Sequence, residues 1–199
     1  SPSNPTGSCY SDDELQEIGK ILDDFPNLGI ISDDIYEKII YDNFKFTTIA
    51  SLFPQYKERI LTVNGVSKAY SMTGWRIGYA GGSEEIIKSM AKIQSQSTTN
   101  PSSISQYAAL AALEGQEDFI LKNNVIFKKR RDIIFKLIND CKGLKTNTPS
   151  GAFYIFPSCD ELIGTKSKSG LLINNDTDFC EYLLDEVGVA VVPGIAFGK

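Results

Sequence analysis

The sequence predicts an α/β fold with a mostly parallel sheet, followed by a smaller α+β region toward the carboxy terminus. Two short, almost wholly apolar runs end in polar residues: Leu28–Ile31 before Ser32-Asp33-Asp34, and Ile60–Val63 before Asn64-Gly65. Strands buried on both faces of a parallel sheet read this way, without the alternation of a half-exposed strand. Amphipathic stretches of helical period separate and follow these runs. With 42% hydrophobic and 23% charged residues over 199 positions, the chain has enough apolar side chains for a sizeable core.

The opening Pro2 and Asn4-Pro5-Thr6-Gly7 are turn-forming residues. Ser11 and Glu14 make a capping box ahead of Leu15, Ile18, Ile21, Leu22 and Phe25, which predicts a helix to about Phe25. The two apolar runs follow as strands, and Trp75 to Ala80 reads as a third, so three strand ends bracket the polar loop from Gly65 to Gly74. Ligands of open α/β sheets gather at such ends. Ser83-Glu84-Glu85 opens a helix through about Lys92, and a second helix runs from about Ser103 to Leu113 and closes at Gly115.

A long, partly exposed helix is expected from Asp118 to about Asp140, with Lys128-Lys129-Arg130-Arg131 as a solvated face. Gly151 to Phe156 reads as a strand, Asp176 to Val187 as a capped helix, and Val189 to Val192 as a final strand. The domain boundary falls near Glu114 to Asp118, giving residues 1–115 and 116–199. Lys166 to Gly170 is a surface loop.

Composition narrows the chemistry. A net charge of −5 and a pI near 4.9 argue against a nucleic-acid phosphate backbone as partner. There is no histidine, so Ser-His and Cys-His nucleophile arrangements are absent and acid-base work falls to Lys, Tyr, Asp, Glu or a cofactor. Cys9, Cys141, Cys159 and Cys180 are widely spaced, without the pairing of a zinc site, and read as reduced thiols in a cytoplasmic setting. No stretch has the length and apolarity of a membrane span or an export signal, so neither a membrane nor a metal is expected as partner. The Asn175-Asp176-Thr177 sequon is then a coincidence.

One lysine stands out from its surroundings. Lys68 lies in Gly65-Val66-Ser67-Lys68-Ala69-Tyr70-Ser71-Met72-Thr73-Gly74-Trp75-Arg76-Ile77-Gly78, between a strand end and a hydroxyl-rich loop, with Arg76 eight positions on. Three further segments accompany it in order: Asn4-Pro5-Thr6-Gly7, Asp33-Asp34-Ile35-Tyr36 and Gly151-Ala152-Phe153-Tyr154. Together they resemble the class I and II aminotransferases along essentially the whole chain. The similarity is greatest to bacterial aspartate aminotransferases of the aspartate/prephenate subgroup, supported by Gln94 to Pro101 and Val191 to Gly198.

The resemblance implies a pyridoxal-phosphate-dependent transferase of aspartate aminotransferase-like fold type I, with residues 1–115 in the large cofactor-binding domain and 116–199 in the small one. It implies that Lys68 holds pyridoxal 5′-phosphate as an imine and then moves the substrate Cα proton. Asp33 is implied to face the pyridine nitrogen, with Asp34 as the turn or helix cap. Tyr36 and Asn4 are implied to donate to the ring's phenolic oxygen, Asn4 to reach the substrate carboxylate, and Arg76 to bind the phosphate as a bidentate fork. Gly65 stands where many relatives carry a phosphate-binding serine, so that contact is either missing or supplied by Ser67.

The implied reaction moves the amino group between L-aspartate and 2-oxoglutarate in a cytoplasmic homodimer, with prephenate an additional acceptor left open. A lyase or synthase on the same scaffold is the first alternative. A non-catalytic cofactor-binding regulator is the second, and it needs a basic DNA-binding segment that this chain does not carry. The family's ring-stacking aromatic and phosphate turn precede the Asn4 segment, and its substrate-carboxylate arginine follows the Gly198 region. The chain is therefore expected to be an internal part of a longer protein, inactive or very weak by itself.

Overall fold

The first helix shows how local sequence rules set up the sheet. In the computed structural model, which describes residues 1–198, α1 (Asp12–Asp24) begins at the capping box expected of it. The Ser11 hydroxyl accepts from the Glu14 amide, and the Glu14 carboxylate accepts from the Ser11 amide at 2.8 Å. Asp12, Asp13 and Glu14 place negative charge at the positive end of the helix dipole. At the other end the Arg59 guanidinium collects orphan carbonyls, donating to Leu22 at 3.0 Å and Phe25 at 2.9 Å while lying 4.6 Å over the Tyr56 ring. Gly19 permits the Phe53 ring to rest on the helix, since a Cβ there would overlap it at 2.0 Å.

Leu15 of α1 meets Ile49 of α2 (Ile49–Leu52) and Ile60 of β2 (Ile60–Gly65), with Ile18, Ile30 and Tyr56 packed around them. This apolar cluster anchors the amino ends of β1 (Ile30–Asp33) and β2. The two strands pair in parallel, Ile30 opposite Ile60 and Asp33 opposite Val63. β3 (Gly78–Gly81) pairs antiparallel to β2, Gly65 opposite Gly78. The third strand thus starts later than Trp75. Thr73–Trp75 forms a 3-10 turn and Arg76 takes a left-handed conformation at φ 55°, which stops extension until Ile77.

The helices after the sheet follow the sequence closely: α3 (Glu84–Ser95) capped by Ser83, α4 (Ser103–Glu114) ending at Gly115, and α5 (Asp118–Asp140). Two compact units result, residues 1–128 with 149–153, and residues 129–148 with 154–199. In the second, the Asn139 side chain accepts from the Thr146 amide at 3.1 Å, and Lys145 and Ser158 exchange backbone hydrogen bonds at 3.2 and 2.7 Å. α6 (Asp176–Tyr182), capped by Asn175, continues as a π-turn over Leu183–Val187.

Three further sequence expectations change. Gly151 to Phe156 is no strand; a single bridge joins Gly151 to Ile40, and Ala152 at φ 55° breaks the extended path. Val189 to Val192 is irregular, without a paired strand among the described residues. The basic run is solvated only in part. Lys129 and Arg130 are exposed and Lys128 pairs with Asp42 at 3.1 Å, but Arg131 is buried, with its guanidinium donating to Asp132.

The Arg59 contacts yield a stability prediction. Arg59→Met should lower unfolding free energy by roughly 2 kcal/mol, because charged donors to two helix-end carbonyls are lost, read as a lower urea midpoint at unchanged m-value.

All four cysteines are free thiols. Burial pushes the Cys9 thiol up to about 11 from 9.0, opposed by the amino-terminal ammonium. The unfolded chain therefore releases this proton first, so the contribution is complete below pH 9.0 and is lost as pH rises toward about 11. Unfolding midpoints at about pH 8 and about pH 10.5 should show a loss that is smaller in Cys9→Ala.

Candidate functional site at the carboxyl ends of the strands

Parallel pairing sends β1 and β2 out of the sheet at the same end, and the pairing extends one step further through the Asp34 amide, which donates to Val63 at 2.8 Å. The chain then turns, Glu37 donating to the Asp34 carbonyl and Ile39 to that of Tyr36, both at 2.8 Å. Asp33 is exposed, with one carboxylate oxygen accepting from the Ile35 amide at 3.2 Å. Asp34 is 2% exposed and accepts from the Ser32 hydroxyl at 2.7 Å. The turn-capping contact expected of Asp34 therefore belongs to Asp33, and Asp34 is the buried member of the pair.

β2 runs into the lysine turn. Val66, Ala69 and Tyr70 are buried beneath it, which leaves Ser67 and Lys68 half-buried on its outer side. Backbone bonds from Ser71 to Lys68 and from Met72 to Ser67, each 3.1 Å, close the turn. The Lys68 amine lies 6.0 Å from the centroid of the buried Tyr36 ring, at the outer range of a cation–π contact. It has no hydrogen-bond or ion-pair partner among the described residues. Arg76, exposed just before β3, donates to the Thr73 carbonyl at 2.9 Å.

The two outlying segments join this edge through backbone. The Ser1 amino group donates to the Asp33 carbonyl at 3.0 Å, and the Asn4 turn is closed by Gly7 donating to Ser3 at 2.8 Å. Gly7, at φ 68°, accepts from both Ser150 and Gly151 at 2.9 Å. Ala152 donates to Ile39 at 2.8 Å, and its carbonyl accepts from the buried Tyr41 hydroxyl. Phe153 then stands edge-on to Tyr36 at 5.5 Å and 5.7 Å from Phe127.

Lys68 and Tyr36 thus meet directly; Asp33 and Asn4 are tied in through backbone, while Ser67 and Arg76 sit on the lysine loop with no side-chain hydrogen bond or ion pair to the others among the described residues. Sequence reasoning missed Tyr41, Ala152 and Phe153 as supports of Tyr36. Their only signal was the position of the Gly151 segment in the ordered set. Among the described residues no group of His, Cys, Asp or Glu is placed to hold a metal, and no helix is long and apolar enough to cross a membrane.

The sheet edge and its four ordered segments define one family. The chain belongs to the aminotransferase class I and II family, whose profile matches residues 1–199. It is 57% identical over its whole length to a probable aspartate/prephenate aminotransferase of Rickettsia prowazekii, covering 50% of that protein, and 52% identical to an aspartate aminotransferase of Rhizobium meliloti, covering 48%. The crystal structure of the aspartate aminotransferase from Rhizobium meliloti superposes with a TM-score of 0.96 at 51% identity, covering all of this chain and 50% of that one. An aromatic aminotransferase structure from Pyrococcus horikoshii gives 0.87 at 40% identity, again over all of this chain and 50% of that one. The chain spans about half the length of the curated relatives it matches. The expected α/β class, aspartate aminotransferase-like fold type I, is the one present.

Gly151 offers a test of this framework. A Cβ there would lie 2.6 Å from Pro2 Cγ and 2.8 Å from the Ile39 carbonyl oxygen. Gly151→Ala should cost about 2 kcal/mol of stability by overpacking and shift Phe153 off Tyr36, seen as a lower denaturant midpoint with a changed near-ultraviolet circular dichroism spectrum.

Proposed function

We propose that the protein transfers an amino group between L-aspartate and 2-oxoglutarate, with pyridoxal 5′-phosphate bound at the carboxyl ends of β1 and β2 and Lys68 as the residue that attaches it. The observation that carries this reading is the Lys68 amine, lying over the Tyr36 ring without a carboxylate partner on a strand-end turn. An unpaired amine is what attack on a carbonyl carbon requires.

The other donors fit the same group. Asp33 offers an exposed carboxylate for a ring nitrogen, and Arg76 an exposed guanidinium, bonded to one backbone carbonyl, for a phosphate. At Gly65 a Cβ would lie 3.0 Å from the Ile77 carbonyl oxygen, so a serine fits there only if β3 shifts, and Ser67 is the hydroxyl left to meet a phosphate. When bound, the cofactor's ring withdraws electrons from the substrate Cα. Lys68 would then carry the proton away from that carbon and back. Tyr36, held by Phe153, and Asn4 would hold the ring by donating to its phenolic oxygen, and Asn4 would also reach the substrate carboxylate.

Prephenate as an additional acceptor, the homodimer, the cytoplasmic setting and the division into domains 1–115 and 116–199 belong to this same proposal. The relatives' names support the first, and the resemblance supports the others.

Adding pyridoxal 5′-phosphate to the protein at its full natural length should produce a visible absorbance band that L-aspartate discharges and 2-oxoglutarate restores. Lys68→Ala should show neither. A band independent of Lys68 sinks the attachment assignment, and a Lys68-dependent band that aspartate leaves unchanged favours a lyase or synthase on this scaffold.

A further inference from the structure

Ala152 holds a left-handed backbone at φ 55° although it carries a Cβ and is fully buried. For such a residue the conformation costs about as much as one hydrogen bond contributes, so a specific contact is needed to keep it. The segment before it is fixed by backbone. Ile40 and Gly151 form an antiparallel bridge, flanked by the Tyr41 amide donating to Ser150 at 2.9 Å and the Ala152 amide donating to Ile39 at 2.8 Å. Those bonds settle the chain as far as the Ala152 amide and leave the next peptide unspecified. Tyr41, 4% exposed, settles that peptide by donating its hydroxyl to the Ala152 carbonyl.

The same peptide leads into Phe153, whose ring stands edge-on to Tyr36 at 5.5 Å and tilted toward Phe127 at 5.7 Å. Phe153 is 44% exposed, so packing covers only part of it, and the backbone entering it decides which way the ring faces. Tyr36, which it meets, lies with its ring centroid 6.0 Å from the Lys68 amine.

We propose that Tyr41 is a positioning residue for Tyr36: its hydroxyl holds Ala152 left-handed, which seats Phe153 against the Tyr36 ring and fixes that ring beneath the Lys68 amine. Tyr41 acts through Ala152 and Phe153, and its own ring has no part in the chemistry. With the hydroxyl gone, the left-handed cost is no longer offset, and the peptide between Ala152 and Phe153 turns to a conformation that an alanine adopts freely. Phe153 then leaves Tyr36. A glycine at position 152 enters the left-handed region without that cost, so it removes the need for the Tyr41 bond. The inference rests on the reading of Lys68 as the reacting amine with Tyr36 as the donor beside it.

The test uses the protein at its full natural length, without cofactor, labelled with 3-fluorotyrosine and followed by fluorine NMR. The Tyr36 signal is assigned by its loss in Tyr36→Phe, and Phe153→Leu gives its position when the edge-on ring is absent. Tyr41→Phe should move the Tyr36 signal most of the way to that position. The Tyr41→Phe/Ala152→Gly double variant should return it. Tyr56, packed against the Leu15 cluster at the amino ends of the strands, should keep its signal throughout.

With cofactor bound, kcat for aspartate should fall about fivefold in Tyr41→Phe, the factor equivalent to one hydrogen bond, and recover in the double variant. A Tyr36 signal that stays in place in Tyr41→Phe overturns the proposal. So does a displacement that Ala152→Gly fails to reverse, since a hydroxyl that matters only for packing is missed equally in both backgrounds. Should Tyr41→Phe not fold, the double variant should fold with the natural Tyr36 signal, and its failure to do so overturns the proposal as well. The NMR readout needs neither cofactor nor turnover, so it fails separately from the aminotransferase reading, which the Lys68 absorbance band decides.

Discussion

The parallel pairing of β1 with β2 is the constraint on which the rest depends. Ile30 to Asp33 lie against Ile60 to Val63, and the Asp34 amide adds one more bond to Val63. Neighbouring strands lie only about 4.8 Å apart, so the turn after Asp33 and the turn after Gly65 must start side by side. Tyr36 and Lys68, far apart in the chain, thereby share one edge. The opposite edge is immobilised by the Leu15, Ile49 and Ile60 cluster and by Arg59 bridging the end of α1. Rigidity at the amino ends is what permits irregular, chemically useful turns at the carboxyl ends.

Those turns are held by close backbone approach more than by side-chain packing. Gly65 faces Gly78 across β2 and β3, where a Cβ would press on the Ile77 carbonyl oxygen at 3.0 Å, and Gly151 slots between Pro2 and the Ile39 carbonyl at distances that leave no room for a Cβ. Ala152 sits beyond Gly151 in a left-handed conformation that costs about 1 kcal/mol or more for a residue with a Cβ. Two hydrogen bonds stabilise it there, its amide to Ile39 and its carbonyl from Tyr41. The result is to bring Phe153 edge-on to Tyr36.

What could be read in advance divides along the same line. The capping box at Ser11, the strands β1 and β2 and the span of α5 are local signals and appear where their residue types put them, although β1 is not buried on both faces as its apolar run suggested, since Ile31 is 75% exposed. Trp75 and Gly151 to Phe156 also look extended locally, yet Arg76 and Ala152 adopt positive φ, Ala152 between long-range hydrogen bonds to Ile39 and from Tyr41 that no window of sequence contains. Arg131 failed for the same reason, because in a run of four basic residues nothing local distinguishes the buried one. The meeting of Lys68 with Tyr36 is a long-range fact. Only the order of four segments announced it, and the roles of Asp33 and Asp34 within their turn needed coordinates.

The amine of Lys68 is without a carboxylate partner among the described residues, in a chain where 25 acidic residues outnumber 20 basic ones. Three arrangements achieve this. Its chain neighbours Val66, Ala69 and Tyr70 carry no charge and are buried. Asp33 has an oxygen occupied by the Ile35 amide, and Asp34 is buried against Ser32. Glu117, close behind the lysine turn, is neutralised by Lys38. A salt bridge to Lys68 would draw its amine away from the Tyr36 ring. In this acidic chain the Lys68 amine is thus without a carboxylate partner among the described residues, while Asp34 and Glu117 are engaged elsewhere, by Ser32 and by Lys38.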